Sequence, residues 1–223
     1  MLPARVENIR PLSDELVQLS NPGHIYTVGE GLTAREAPSL SRVIANVGLV
    51  TDYSKVDPEH LAFRARVGTL VHLWIEAYLD KDGDYGFEYE SADKFVRLHA
   101  EPHMDAFLDW GKGHELVPAY FEVPAYQPIL KYACTADYVG LYDGIYAVID
   151  WKSTYKISKT VSLQTMGQAK CFDVKGAMFP FKRFALHLPK KGKAKLVPFT
   201  DHANAASTLD AMAVCWAAKG LYL

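Results

Sequence analysis

The chain has 223 residues, of which 49% are hydrophobic and 22% are charged, and this composition excludes disordered and fibrous proteins. Its three cysteines form no CxxC pair, which argues against a zinc ribbon, an iron–sulfur cluster or a disulfide framework. The N-terminus lacks the apolar core of a signal peptide, and no apolar run reaches the ~18 residues of a membrane span. We therefore expect a soluble protein of the cytoplasm.

The net charge of −2 is distributed unevenly along the chain. Residues 1–150 hold 12 Lys or Arg and 23 Asp or Glu. Residues 151–195 hold 11 Lys or Arg and one acidic residue, Asp173. Such a basic stretch is typical of a surface that binds a polyanion, and a solvated surface explains the charge alone equally well.

Hydrophobic periodicity and capping residues predict the elements in chain order. Residues 1–35 are weakly patterned. We predict helices over residues 40–48, 58–79, 94–110, 160–175 and 201–219, and a loop over 80–86. We predict strands over residues 120–126, 132–142, 145–153, 181–188 and 195–199. This order predicts a mixed α/β or α+β fold, with one central mixed sheet flanked by helices. Residues 1–56 are interpreted as an extension packed on a core domain of 57–223.

The dipeptide Asp143–Gly144 separates two of these strands and is the strongest two-residue signal for a β-hairpin. A two-residue turn there pairs Tyr142 with Ile145. The same register places Asp137 directly opposite Asp150, with both side chains on one face of the sheet.

Two opposed carboxylates in an apolar sheet must share a proton or bind a cation, because like charges at that distance are destabilising. Oxygen ligands favour hard cations such as Mg²⁺ or Mn²⁺. Thr135 and Lys152 form the next predicted pair on this face, so the lysine ammonium would lie beside the carboxylates. A salt-bridged strand pair with an exposed Asp137 is the alternative.

The helix over 58–79 carries Gly68, His72 and Glu76 at four-residue spacing, which aligns them along one strip of the helix. The remaining strips are apolar, so we expect the helix to be buried on nearly all sides. His72 and Glu76 would then need partners, and an imidazole can bind Mn²⁺. Gly68 would permit close approach of a backbone or a phosphate. The alternative for His72 is a hydrogen-bonded histidine of the core.

The ordered set Gly68-x-x-x-His72-x-x-x-Glu76, Asp137 and Asp150-Trp151-Lys152, followed by a glutamine-bearing helix, resembles the PD-(D/E)XK nuclease superfamily. It is most similar to the RecB-like and phage-type exonucleases, over about residues 60–200. The resemblance implies a restriction-endonuclease-like αβββαβ core in a nuclease domain of 57–223. It also implies a role in DNA recombination, DNA repair or phage DNA processing, in a bacterial or phage-infected cell.

The resemblance further implies one or two Mg²⁺ or Mn²⁺ ions as cofactors. The implied metal ligands are His72, Asp137, Asp150 and the backbone carbonyl of Trp151. Lys152 matches the lysine that orients or activates the attacking water.

Two glutamates and two glutamines complete the set of candidate site residues. Glu76 is interpreted as a catalytic residue that orients His72 or bonds a metal-bound water. Glu122 matches an acidic position that some members carry, which makes it a further candidate metal ligand in the inner or outer shell, although an ordinary edge-strand glutamate is the reading we favour. The family's QxxxY motif falls at Gln164, but Gln168 occupies the tyrosine position, which leaves its role unassigned.

DNA is the expected partner, as linear ends in single- or double-stranded form. The candidate DNA-binding residues are Gln164, Arg64, Arg66, Lys156, Lys159, Lys190, Lys191 and Lys193. A homo-oligomer or a recombination protein is a further expected partner, and a membrane is not. The predicted activity is a metal-dependent deoxyribonuclease acting from DNA ends. The alternatives are a structure-specific endonuclease, a catalytically inactive nucleic-acid-binding module of the same fold, and a hydrolase that uses Asp137 and Asp150 as an acid–base pair.

Overall fold

The computed structural model describes residues 5–20, 25–49, 55–80, 86–175, 177 and 180–222, which form a mixed α/β structure around a five-stranded sheet. The helices are α1 (Leu40–Ala45), α2 (Pro58–Leu79), α3 (Gly86–Ser91), α4 (Lys94–Gly111), α5 (Val161–Ala169) and α6 (His202–Tyr222). The strands are β1 (Ile9–Pro11), β2 (Val17–Ser20), β3 (Ile25–Val28), β4 (Arg35–Ala37), β5 (Leu116–Gln127), β6 (Tyr132–Tyr142), β7 (Ile145–Lys152), β8 (Phe172–Val174), β9 (Lys182–His187) and β10 (Lys195–Phe199).

The central sheet has the strand order β10-β9-β7-β6-β5. β7 and β9 are parallel, whereas the other neighbours are antiparallel. The parallel pair ends at Lys152 and His187, which are register partners. We call this edge of the sheet the carboxyl edge. The segments that follow both strands therefore leave the sheet side by side.

The predicted hairpin is present, and both turn residues have positive φ, 46° at Asp143 and 77° at Gly144. The ladder runs from Tyr142↔Ile145 to Tyr138↔Ile149, as the two-residue turn requires.

The predicted ladder pairs beyond that point, Asp137 with Asp150 and Thr135 with Lys152, are not formed. The Asp137 side chain takes the place of a backbone acceptor, because the Trp151 N–H donates to its Oδ2 at 2.8 Å. The strands therefore stop pairing where the carboxylates begin.

The β5–β6 connection also has a defined register. The Gln127 side chain accepts from the N–H groups of Ile129 and Leu130, at 2.7 and 3.2 Å, and so holds the four-residue turn that joins the strands. One register shift lies between Pro118 and Tyr120. Beyond it, Phe121 pairs with Tyr138.

Helices cover both faces of the sheet. One face packs against α1, α5 and α6, in a core that includes Val148, Leu163 and Leu209. The other face packs against α2 and α4, through residues such as Val71 and Phe107. Within the described ranges, no helix combines the length and apolarity that crossing a bilayer requires.

The structure differs from the predictions made from the sequence in three places. Residues 172–174, predicted to end a helix, form β8 and pair with β1, with Arg10 and Asp173 3.1 Å apart in an ion pair. The weakly patterned N-terminal region forms β1 and the sheet β2-β3-β4. α2 has an exposed face that includes Arg66 and Leu73, so it is not buried on nearly all sides. Residues 81–85 of the predicted loop lie outside the described residues.

The bulge in β5 brings backbone close to Gly140, so we expect this position to tolerate no larger residue. A Cβ at Gly140 would lie 2.4 Å from the Val117 carbonyl oxygen and 2.9 Å from the Pro118 Cα, so backbone would have to move. We expect Gly140→Ala to lower the free energy of unfolding by about 1–3 kcal/mol in urea denaturation. Gly111→Ala is the matched control, because nothing lies within 4 Å of that added Cβ. Equal stability of the two variants would contradict this reading of the bulge.

Candidate metal centre and catalytic site

Three carboxylates form a row across neighbouring strands of the central sheet. Val123 pairs with Ala136, and Phe121 pairs with Tyr138, so Glu122 on β5 lies opposite Asp137 on β6. Asp150 on β7 lies one step beyond the last ladder pair, on the other side of Asp137. The two aspartates are buried, at 7% and 3% exposure.

Glu122 reaches this row through an unusual backbone. Its φ of 44° lies in the left-handed region, which non-glycine residues seldom adopt outside turns and functional sites. Its Oε1 accepts a hydrogen bond from His72 Nδ1 at 2.8 Å. The structure therefore contradicts the favoured reading of Glu122 as an ordinary edge-strand glutamate.

His72 extends from α2 towards the row. Its Nδ1 also lies 3.7 Å from Asp137 Oδ2. Burial lowers the pKa of His72, but the charge of Asp137 and the hydrogen bond that His72 donates to Glu122 outweigh that effect and raise the pKa to about 9. Burial raises the pKa of Asp137 to about 7, although the charge of His72 opposes this rise. An imidazolium thus balances the carboxylates when no other cation is bound.

The cluster of His72, Glu122 and Asp137 fits a divalent cation. Each residue offers one ligand atom, and these atoms lie within 4.8 Å of one another. Carboxylate oxygens and an imidazole nitrogen are common ligands of divalent metals, and a cation there would replace the positive charge of His72, which must lose its proton to bind metal. All three residues of this cluster are among the candidate metal ligands from the sequence, whereas the candidate Asp150 is not part of it.

Asp150 lies beside this cluster and pairs with the predicted catalytic lysine. Lys152 Nζ lies 2.5 Å from Asp150 Oδ2. Burial lowers the pKa of Lys152, but the charges of Asp150 and Asp137 outweigh it, so the pKa is raised. The lysine is therefore a half-buried ammonium, and the predicted metal ligand Asp150 contacts this ammonium.

Gln168, whose role the sequence left unassigned, contacts Asp150. It is buried at 4% exposure, and its Nε2 lies 3.3 Å from the Thr135 carbonyl oxygen and 3.4 Å from Asp150 Oδ1. Its Oε1 is buried without a hydrogen-bond partner among the described residues. Gln164 is half-buried, one turn earlier on α5. The i, i+4 spacing from Gln164 would have aligned both glutamines on one helix face.

Trp151 and Glu76 take positions near the site. The indole of Trp151 is buried at 1% exposure between the rings of Phe107 and Tyr138, with centroids 5.6 and 5.8 Å away. The backbone N–H of Trp151, not the indole, donates to Asp137 Oδ2. Glu76 is half-buried, one turn beyond His72, and is not one of the three clustered ligands.

The residues before His72 on α2 have structural contacts. Arg64 Nη2 donates to the Ser153 carbonyl oxygen at 3.0 Å, which fixes the end of β7 to the helix. A Cβ at Gly68 would make ordinary contact with Ser153 Oγ at 3.6 Å, so no steric need for glycine exists there. Arg66 is exposed, with its guanidinium 6.0 Å from the Phe63 ring centroid.

The predicted DNA-binding lysines lie on two segments that leave the carboxyl edge. Residues 153–160 follow β7, and residues 188–194 follow β9. The Leu188 N–H donates to the Lys152 carbonyl oxygen at 2.9 Å, so the second segment begins beside the site. The exposed lysines on these segments are Lys156, Lys159, Lys190, Lys191 and Lys193.

Comparison of the sequence with protein-family models and with curated proteins gives no match.

The ligand set predicts metal-dependent stabilisation. Excess Mn²⁺ should raise the midpoint of thermal unfolding by about 5–10 °C, because binding at 100-fold above Kd adds about 2.7 kcal/mol. Asp137→Asn and Glu122→Gln should each remove most of this rise, and EDTA should reverse it. Glu115→Gln is the control, since this exposed glutamate precedes β5. Equal shifts in all four proteins would disprove the assigned ligands.

Proposed function

We propose that this protein is a divalent-metal-dependent deoxyribonuclease that hydrolyses phosphodiester bonds from DNA ends. The observation that carries the proposal is the convergence of His72, Glu122 and Asp137 beside the Asp150–Lys152 ion pair. Helix α2 and three neighbouring strands supply these five side chains.

The topology supports the same proposal. Helices precede three antiparallel strands, β5, β6 and β7, and α5 then leads to β9, which is parallel to β7. We interpret this arrangement as the restriction-endonuclease-like αβββαβ core that the resemblance implies. The candidate site lies on the β5–β6–β7 unit and on α2, which supports this interpretation.

Each side chain of the site has a role in the proposed hydrolysis. A bound Mg²⁺ or Mn²⁺ would supply Lewis-acid polarisation of the phosphate and would lower the pKa of a coordinated water. His72, Glu122 and Asp137 would hold that cation. The ammonium of Lys152 would orient the attacking water and stabilise the charge that develops on the phosphate. Asp150 holds the ammonium, and Gln168 contacts the other oxygen of Asp150.

The exposed lysines supply the affinity that this chemistry requires. Carboxylates alone repel a phosphate backbone, so a nuclease needs compensating cations around its acidic site. The two segments that leave the carboxyl edge carry five such lysines. Contacts of this type do not depend on base sequence, which favours an end-dependent enzyme over a site-specific one.

Cleavage assays test the proposed activity. The substrates are end-labelled linear DNA and a closed circle, each with Mg²⁺, Mn²⁺ or EDTA. We expect metal-dependent loss of the linear DNA alone. Asp150→Ala and Lys152→Ala should each reduce the rate on the order of 100-fold or more, because one removes the carboxylate that positions the ammonium and the other removes the ammonium that acts on the reacting phosphate.

The other outcomes separate the alternatives. Cutting of the circle would identify an endonuclease. DNA binding without cleavage would identify a catalytically inactive binding module, and activity that survives EDTA would indicate acid–base hydrolysis. Near-normal rates in folded Asp150→Ala or Lys152→Ala protein, checked by thermal unfolding, would disprove the mechanism.

Salt dependence tests the basic segment that follows β9. Replacing Lys190, Lys191 and Lys193 with glutamine should weaken DNA binding and reduce the slope of log K against log [salt] by about 2 to 3, because fewer counterions are released. The control replaces three exposed cations elsewhere, Arg5, Arg42 and Lys219, with glutamine. If both triple variants have the wild-type slope, the segment is only a solvated loop.

A further inference from the structure

We propose that Tyr155 stacks on an unpaired nucleobase of a DNA strand end, beside the phosphate that is cleaved. This inference rests on the proposed nuclease function and adds the form of DNA that the site accepts, which is a single-stranded or frayed end.

The first observation is the exposure and position of the side chain. Tyr155 is 96% exposed, whereas Tyr132 and Tyr138 are fully buried. It follows Lys152 by three residues, which span at most about 10 Å. The ring therefore lies within reach of the nucleotides that flank a phosphate held at Lys152.

The second observation is that the backbone around Tyr155 is held in place. The Thr154 carbonyl oxygen accepts from His187 Nε2 at 2.7 Å, and the Thr154 hydroxyl donates to the Lys156 carbonyl oxygen at 3.0 Å. Arg64 holds the carbonyl of Ser153, as described above. The segment is thus attached to α2 and β9 just before Tyr155, and a local bond spans Tyr155, so a ligand that contacts the ring would have less of the loop to order.

The third observation is the charge around the ring. Lys156 and Lys159 are exposed on the same segment, and the lysines that follow β9 leave the same edge of the sheet. An exposed aromatic ring among cations is the combination that binds single-stranded nucleic acid, because bases stack on the ring while cations follow the backbone. Bases inside a duplex are already stacked and paired, so we propose that the ring takes an unpaired base, which has free faces.

Binding of a fluorescently labelled oligo(dT) in EDTA tests the inference without cleavage. Tyr155→Ala should weaken binding about five-fold or more, with an unchanged salt slope, because stacking releases no counterions. Tyr155→Phe should bind like wild type, since it keeps the ring. Lys156→Gln should instead reduce the salt slope. Leu32→Ala is the control, as Leu32 is fully exposed on another element.

Removal of a base from the DNA completes the test. For wild type, abasic positions at the end of the oligonucleotide should weaken binding by the same factor as Tyr155→Ala weakens binding of the intact oligonucleotide. The Tyr155→Ala variant should bind the abasic and intact oligonucleotides equally well. Wild-type affinity of Tyr155→Ala, or equal losses with the abasic DNA in both proteins, would overturn the stacking role.

The parallel cleavage assay separates the two proposals. If wild type cleaves linear DNA and Tyr155→Ala binds as tightly as wild type, only the stacking inference fails. If wild type neither binds nor cleaves DNA, the proposed function fails as well.

Discussion

The side-by-side placement of three carboxylates, two of them buried and the third half-buried, is the constraint on which the rest of this site depends. Opposed like charges destabilise a sheet, and a buried charge without a partner costs several kcal/mol. The protein offsets this cost with two cations, His72 beside Glu122 and Asp137, and Lys152 beside Asp150. α2 therefore does more than cover the sheet, because it carries one of these charges. A divalent metal would take over the role of the protonated His72.

Two turns at opposite ends of β6 align the row. The Asp143–Gly144 turn sets the register of β6 with β7, and the turn capped by Gln127 sets the register of β5 with β6. A slip of one residue in either turn would move a carboxylate to the opposite face of the sheet. The left-handed backbone of Glu122 completes the alignment, which is consistent with local strain being retained at functional sites.

The sequence predicted those parts of the site whose positions depend on short segments of the chain. Asp-Gly requires positive φ, so the β6–β7 hairpin and the neighbourhood of Asp137 and Asp150 could be inferred. Glu122 could be given only as a further candidate ligand, because its position depends on a turn without an Asn-Gly or Asp-Gly signal and on a bulge in β5. Residues 172–174 continue a helical pattern, but pairing with β1 overrides that local preference, and no local signal reports such a distant partner.

The acidic site and the basic segments around it would make different contributions to the binding of an anion. The carboxylates lie in the sheet, where they attract cations and repel phosphate, whereas the lysines lie on segments that leave the carboxyl edge. The bond from the Leu188 N–H to the Lys152 carbonyl oxygen joins the two regions through backbone, so their separation does not depend on flexible side chains. If the proposed metal binds in the acidic row, its charge would offset the repulsion that the carboxylates exert on a phosphate, and the proposed binding of metal would then favour the proposed binding of DNA.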